Sequence, residues 1–372
     1  MKTHLHSIPN NLPLPLSSFI GREREITEVK RLLTNARLVT LTGAGGCGKT
    51  RLALQVAMEV VDAFADGTWW VELAALSDPM LVSQAVLKAL DLSEHPDCTP
   101  LESLVDYFQS KHALLVLDNC EHLIDACAQL VTGLLQACQH LTILATGREA
   151  MNIDGEFVWI VPSLQVPSSN DQSPLFDLET YDAIRLFIER ATSVQSDFKL
   201  TKQNAISVVQ ICQRVDGIPL AIELAAACVK VLSVQQIAER LDDAMRLLSA
   251  GKRTAPPRHQ TLRATMDWSY ELLNELEKKL FRQLSVFAGG FTLAAAQAVC
   301  VSDRIDGDDV LELLTHLIGK SLVLKQEQSD EAHNTESRYH MLEPIRDYAR
   351  EKLAQTGDSK QLRDRHLDFF WR

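Results

Sequence analysis

The chain has 372 residues, 46% of them hydrophobic and 23% charged, with a formal net charge of −12 at pH 7. Two or three domains fit this length at roughly 100–200 residues each, and the composition is that of a globular protein. The acidic balance argues against broad, non-specific nucleic-acid binding, which needs clustered Lys and Arg, while leaving room for a basic face on one domain.

The start, MKTHLHSIPNNLPLPL, contains no apolar stretch of signal-peptide length, and no run reaches transmembrane length. The most apolar helix candidate, Ile218 to Leu232, carries Glu223 and Lys230. These features predict a cytoplasmic protein with no membrane partner. The eight cysteines are scattered and are expected to be reduced thiols.

Residues 1–16 read as a linker tail, because Pro13 and Pro15 favour extended backbone and apolar periodicity is absent. A helix follows over Glu23 to Asn35. Strand candidates are Leu38–Thr42, Thr68–Leu73, Ala113–Leu117, Leu141–Thr146 and Phe157–Val161, with helical stretches between most of them, including Thr50 to Phe64. This alternation predicts an α/β fold, a parallel sheet with helices on both faces, over residues 17–165. A loop rich in Pro, Ser and Asn spans 162–174. Residues 175–250 then read as an all-helical domain, with helices at Ala183–Thr192, Ala205–Val215 and Ile218–Leu232. Gly251 to Pro257 marks a second boundary. Residues 258–356 read as three or four helices and two short strands, Ser321–Lys325 and Arg338–Met341, which suggests a winged-helix domain. Residues 357–372 begin a further helical segment. It ends with Phe369, Phe370 and Trp371, which are costly to expose; either they tuck back onto the last domain or the chain is the front part of a longer architecture.

GAGGCGKT fits G-x-x-x-x-G-K-[ST] at Gly43, Gly48, Lys49 and Thr50, between a strand and a helix. Its glycines let backbone N–H groups face phosphate oxygens, and the helix N-terminus adds partial positive charge. The nucleotide-binding set is therefore Gly43, Gly45, Gly46, Cys47, Gly48, Lys49, Thr50 and Arg51. Lys49 would neutralise phosphate, and the Thr50 hydroxyl would ligate Mg²⁺. In HALLVLDNCEH an apolar run ends in Asp118, which is placed to serve the same Mg²⁺. Glu121 is the nearest carboxylate able to polarise water; an acidic residue in the first turn of the next helix is an equally good reading. LTILATGRE ends in Thr146, Gly147 and Arg148, and that arginine can either sense a γ-phosphate or form a surface salt bridge. Cys120, Cys127 and Cys138, at helical spacing, read as one core stripe and not as a zinc site with His122 and His140.

Taken in order, SFIGRERE, GAGGCGKT, LLVLDNCEH, ILATGRE, GIPLAIELAA, QTLRATMDWSYELL, LFRQLSVFAGGF and RYHMLEPIRDYA resemble bacterial STAND-class NTPases of the NB-ARC type. These are the ATPase modules of many large transcriptional regulators, related to plant resistance proteins and the apoptosome adaptor. The resemblance covers nearly the whole chain. It implies a P-loop domain, a helical domain and a winged helix that close over ADP. It also implies that Ile20, Gly21 and Arg22 lie near adenine and ribose, that Arg148 senses the γ-phosphate, and that Pro219 packs on adenine. Where relatives often carry Met-His-Asp, this chain has Met341, Leu342 and Glu343, so the histidine that touches ADP is missing at the matching position.

The expected function is an ATP/ADP-binding switch with slow hydrolysis, controlling transcription through nucleotide-dependent opening and homo-oligomerisation. The competing reading is a loader or motor ATPase acting on DNA through the winged helix. Arg258, His259, Arg263, Lys278, Lys279 and Arg282 give that segment basic character. Glu271, Glu275, Glu277, Asp303, Asp306, Asp308 and Asp309 offset it, so DNA contact is expected through a domain outside this chain.

Overall fold

The computed structural model describes residues 8–15, 17–93, 97–167, 178–249, 257–301, 305–326 and 337–371. Most of the loop expected over 162–174, the boundary expected at 251–257 apart from Pro257, and the segment between the last two strands lie outside these residues. So do residues 1–7 of the expected tail. The chain divides into two compact units, residues 1–162 and 163–372.

The first unit is built on a five-stranded sheet in the order β2-β3-β4-β1-β5. Its strands are β1 (Leu38–Thr42), β2 (Thr68–Glu72), β3 (Leu114–Asp118), β4 (Thr142–Gly147) and β5 (Glu156–Ile160). All neighbouring pairs are parallel. Helices α1 (Glu23–Asn35), α2 (Lys49–Val60), α3 (Val82–Ala89), α4 (Pro100–Phe108) and α5 (Ile124–Ala137) supply the cover.

The strands are apolar in succession because both faces are covered. In β3, Leu115 and Leu117 enter one core with residues of α3, α4 and α5. Leu114 and Val116 enter the other, with Val29 and Leu33 of α1 and Leu52 and Val56 of α2. Each such side chain contributes roughly 1.5–3 kcal/mol over exposure. That margin lets the same strand end in a costly buried carboxylate.

Three details of this unit differ from expectation. Residues 9–11 are not a free tail but lie along β2. Thr68 N donates to Pro9 O at 3.1 Å. Asn11 Oδ1 accepts from Trp70 N at 2.6 Å, and Asn11 Nδ2 donates to Trp70 O at 3.0 Å. An edge strand presents unpaired backbone groups, and this segment satisfies them. The helix expected to run to Phe64 ends at Val60, followed by a 3₁₀ turn over Val61–Ala63. The cysteine stripe is not one helix. Cys120 sits in a 3₁₀ turn, Cys127 in α5 and Cys138 just beyond it, yet all three enter the same core.

The second unit begins with α6 (Asp182–Val194), α7 (Ala205–Arg214), α8 (Pro219–Ala227) and α9 (Val234–Ser249). Pro219 stands in the first turn of α8, where its missing N–H costs nothing. The apolar run expected as a helix to Leu232 leaves the α-helix after Ala227, in a 3₁₀ turn over Cys228–Lys230.

The winged-helix part contains α10 (Pro257–Glu271), α11 (Glu275–Leu284), α12 (Leu293–Cys300), α13 (Gly307–Gly319), α14 (Glu343–Ala354) and α15 (Ser359–Phe370). Its strands β7 (Leu324–Gln326) and β8 (Arg338–His340) are joined by β6 (Phe291–Thr292), giving the order β6-β8-β7. A two-residue strand has too little alternation to be seen in sequence.

α10 packs on α8 and α9 and is also tied to α14. Arg263 holds Glu351 through both terminal nitrogens, at 2.6 and 2.7 Å, and Tyr348 Oη donates to Asp267 at 2.6 Å. At the C-terminal end Phe370 packs beside Phe287, whereas Trp371 is exposed. Among the described residues no helix is long and apolar enough to cross a membrane.

Candidate functional site

The site lies at the carboxyl end of the sheet, where β1, β4 and β3 stand side by side. The chain leaves β1 into the loop Gly43–Gly48 and re-enters order at Lys49, the first residue of α2. Gly43 has φ +149°, and an added Cβ would meet Cys47 Sγ at 3.1 Å and Val161 O at 3.3 Å. Gly46 and Gly48 also take positive φ. No side chain caps α2, so the amides of its first turn remain available to an anion.

Lys49 is buried, and its ammonium donates to Gly43 O at 2.9 Å and Ala44 O at 3.1 Å. The charge is thus held inside the loop. Arg22 fastens the loop from outside: its Nη2 donates to Cys47 O at 2.6 Å and to Pro162 O at 3.1 Å. Arg22 has φ +65° and follows Gly21 at φ +66°, so these two residues turn the chain into α1. Ile20 beside them is half-buried. The Arg51 guanidinium reaches the carbonyls of Ser17 and Ser18 at 2.9 and 2.6 Å and lies over the Phe19 ring. Its side chain therefore anchors the segment ahead of α1.

Asp118 ends β3 and is buried. Thr50 Oγ1 donates to its Oδ1 at 2.9 Å, and Thr146 Oγ1 donates to the same oxygen at 2.6 Å. Burial pushes the carboxyl up to about 6, against the opposing hydrogen bonds from Thr146 and Thr50; Glu72 adds to the rise and Lys49 opposes it. Hydroxyl, carboxylate and ammonium thus converge beside the loop. Hard oxygen donors of this kind suit Mg²⁺, and Thr50 and Asp118 are the residues that would hold it. The ion would supply neutralisation of phosphate charge.

After Asp118 the chain turns sharply. Asn119 takes a left-handed conformation, φ +66° and ψ +53°, and its N–H donates to Thr146 Oγ1 at 2.9 Å. The next three residues form the 3₁₀ turn Cys120–His122. This brings Glu121 back over the end of β4, where its Oε1 lies 2.7 Å from Arg148 Nε. The candidate base and the candidate sensor are therefore an ion pair. His122 points away, its ring nitrogen 2.7 Å from Leu76 O.

Sequence reasoning missed Thr146, which it saw only as the end of a strand. A hydroxyl residue closing an otherwise apolar strand was the available signal. It also missed the left-handed turn at Asn119, a conformation to which Asn is better suited than most residues.

In the second unit, Met341 and Leu342 join β8 to α14, with Leu342 at the helix N-cap. The neighbouring His340 has a buried Nδ1 with no hydrogen-bond partner, and burial lowers its affinity for a proton. Arg263 and Lys278 pair with Glu351 and Glu275, and Arg282 donates to Tyr270 Oη. The side chains of Arg258 and His259 lie outside the described residues.

A strand–glycine loop–helix with Lys49, facing a buried carboxylate two strands away, defines a P-loop NTPase. Family models agree: residues 22–154 match the NB-ARC domain and residues 273–354 match a winged helix-turn-helix domain. An uncharacterized protein of Mycobacterium tuberculosis is 40% identical over 98% of this chain and 89% of its own length. A putative HTH-type transcriptional regulator of the same organism is 44% identical over 92% of this chain, and the regulatory protein AfsR of Streptomyces coelicolor 29% identical over 97%. The matched region is 36% of each of these two regulators, so the chain spans about a third of their length. A signal transduction ATPase with numerous domains from Pyrococcus horikoshii, which carries a tetratricopeptide repeat sensor, shares the fold. Its TM-score is 0.57 at 17% identity, covering 98% of this chain and 46% of that one. The chain belongs to the NB-ARC family of STAND-class NTPases, with a P-loop domain, a helical segment and a winged helix.

Proposed function

We propose that this chain is the ATP/ADP switch of a transcriptional regulator, holding ADP at rest and hydrolysing ATP slowly. The observation that carries the reading is the Glu121–Arg148 ion pair of 2.7 Å beside the phosphate loop. A general base engaged by a cation is a poor proton acceptor, which supports slow turnover. Slow turnover suits a switch, which must persist in its ATP state, and does not suit a motor.

In this reading Gly43, Gly45, Gly46, Cys47, Gly48, Lys49 and Thr50 cradle the phosphates, and Thr50 and Asp118 hold Mg²⁺. Ile20, Gly21, Arg22 and Pro219 serve the adenosine end, and Arg51 steadies the segment that carries the first three of these. Arg148 registers the γ-phosphate and Glu121 activates water. ATP in place of ADP opens the chain and exposes a surface for homo-oligomerisation. A nucleotide can shift that equilibrium only by its difference in affinity for the two states. Contact with DNA falls to a domain outside this chain, in keeping with the engaged cations Arg263, Lys278 and Arg282.

Mass measurement of the purified protein with ADP and with a non-hydrolysable ATP analogue tests the reading. A larger assembly with the analogue alone is expected, together with ADP released on denaturation. Equal masses in both states would remove the switch, and fast turnover stimulated by duplex DNA would put a motor in its place.

A further inference from the structure

We infer that Thr146 is a positioning residue for the nucleotide site, its one hydroxyl setting both the metal-side carboxylate and the turn that carries Glu121. The inference rests on the nucleotide reading above and concerns a residue to which that reading gives no role.

Thr146 lies near the end of β4, between the strand that leads into the phosphate loop and the strand that ends in Asp118. It is 1% exposed. Its hydroxyl proton goes to Asp118 Oδ1 at 2.6 Å, and its oxygen accepts from Asn119 N at 2.9 Å. These demands have opposite polarity. A hydroxyl meets both at one atom, whereas the isosteric Val meets neither.

Both bonds bear on chemistry. Asp118 also accepts from Thr50. Thr50 belongs to the candidate metal set, so Thr146 is the donor to Asp118 with no ligand duty of its own. The other bond holds Asn119 in its left-handed conformation, which most residues avoid. That conformation starts the turn that sets Glu121 against Arg148. Arg148 in turn follows Thr146 by two residues on the same strand end. One buried hydroxyl therefore fixes the rotamer of the carboxylate and the direction of the turn beyond it.

The test compares Thr146→Val and Thr146→Ser with the wild type, using a fluorescent ATP analogue with Mg²⁺ and with EDTA, and steady-state hydrolysis. Thr146→Val should lose ~10–100-fold of the affinity that Mg²⁺ adds, as when an outer-shell partner of a metal ligand is removed. Binding in EDTA should stay near wild type, and kcat should fall more than KM rises. Thr146→Ser should restore both the Mg²⁺ dependence and kcat. An unchanged Mg²⁺ dependence in Thr146→Val overturns the inference, as does equal damage in Val and Ser, which would assign the effect to packing. A wild type that binds no analogue under either condition overturns the nucleotide reading itself, and is distinguishable from both.

Discussion

Arg148 Nε lies 2.7 Å from Glu121 Oε1, across the gap between the end of β4 and the turn after β3. Glu121 is the more buried partner, with 12% of its side chain exposed against 46% for Arg148. The guanidinium thus reaches solvent on one side, while the carboxylate is carried inward by the turn. An ion pair between the two groups expected to handle water and γ-phosphate sets their roles in competition. Glu121→Gln should lower the rate of ATP hydrolysis by less than the ~10²–10⁴-fold that an unencumbered general base contributes, and leave ATP binding intact. Arg148→Ala should reduce the preference between ATP and ADP. Hydrolysis by Glu121→Gln at the wild-type rate would leave Glu121 as only a partner for Arg148.

Lys49 is the buried cation of the phosphate loop, bonded to Gly43 O and Ala44 O. Lys49→Ala should abolish tight ATP binding, because each charge-assisted contact to phosphate is worth about 1.5–3 kcal/mol. The melting temperature without nucleotide should change little. Calorimetry that finds wild-type affinity would refute the assignment of the loop.

Asn11 satisfies both backbone groups of Trp70 and also donates to Ala89 O at 3.2 Å. Asn11→Ala should destabilise the first unit by about 1–3 kcal/mol, the cost of leaving such groups unpaired. Fluorescence of Trp69 and Trp70 during urea unfolding reads that unit. An unchanged midpoint would mean that water replaces the amide at no cost.

Glu277 closes the capping box of α11, and its other contacts reach His316 Nδ1 in α13, at 3.0 Å, and Lys320 Nζ just beyond that helix, at 2.7 Å. Burial by itself raises its pKa. The hydrogen bond from Lys320, the Asn274 N–H and the charges of Lys320 and His316 outweigh burial and leave it lowered. A lowered carboxyl stabilises the fold above its unfolded value of about 4.3, and this stabilisation is lost as pH falls through the folded value. Glu277→Gln should lower the melting temperature at pH 7. The gap between variant and wild type should close on acidification below about pH 4.3. A gap independent of pH would assign the effect to packing.

The phosphate loop, the five parallel strands and α1 could be read from the chain directly. Their signals are local: glycines at fixed offsets, apolar runs of strand length, and Ile26, Val29, Leu32 and Leu33 recurring on one helical face. What each motif residue touches was not local. Thr50 and Asp118 are 68 residues apart, and Thr146 and Asp118 are 28 apart. Their meeting depends on β4 lying between β1 and β3, an order set by how the helices cover both faces of the sheet. The tail at Asn11 looked free because its partners are backbone groups of an edge strand, which leave no side-chain pattern. Glu121 could be read equally as base or as helix-start acid, since proximity along the chain does not specify direction. The left-handed turn at Asn119 aimed it at Arg148, and the hydrogen bond to Thr146 that supports that turn exists only once the strands are side by side.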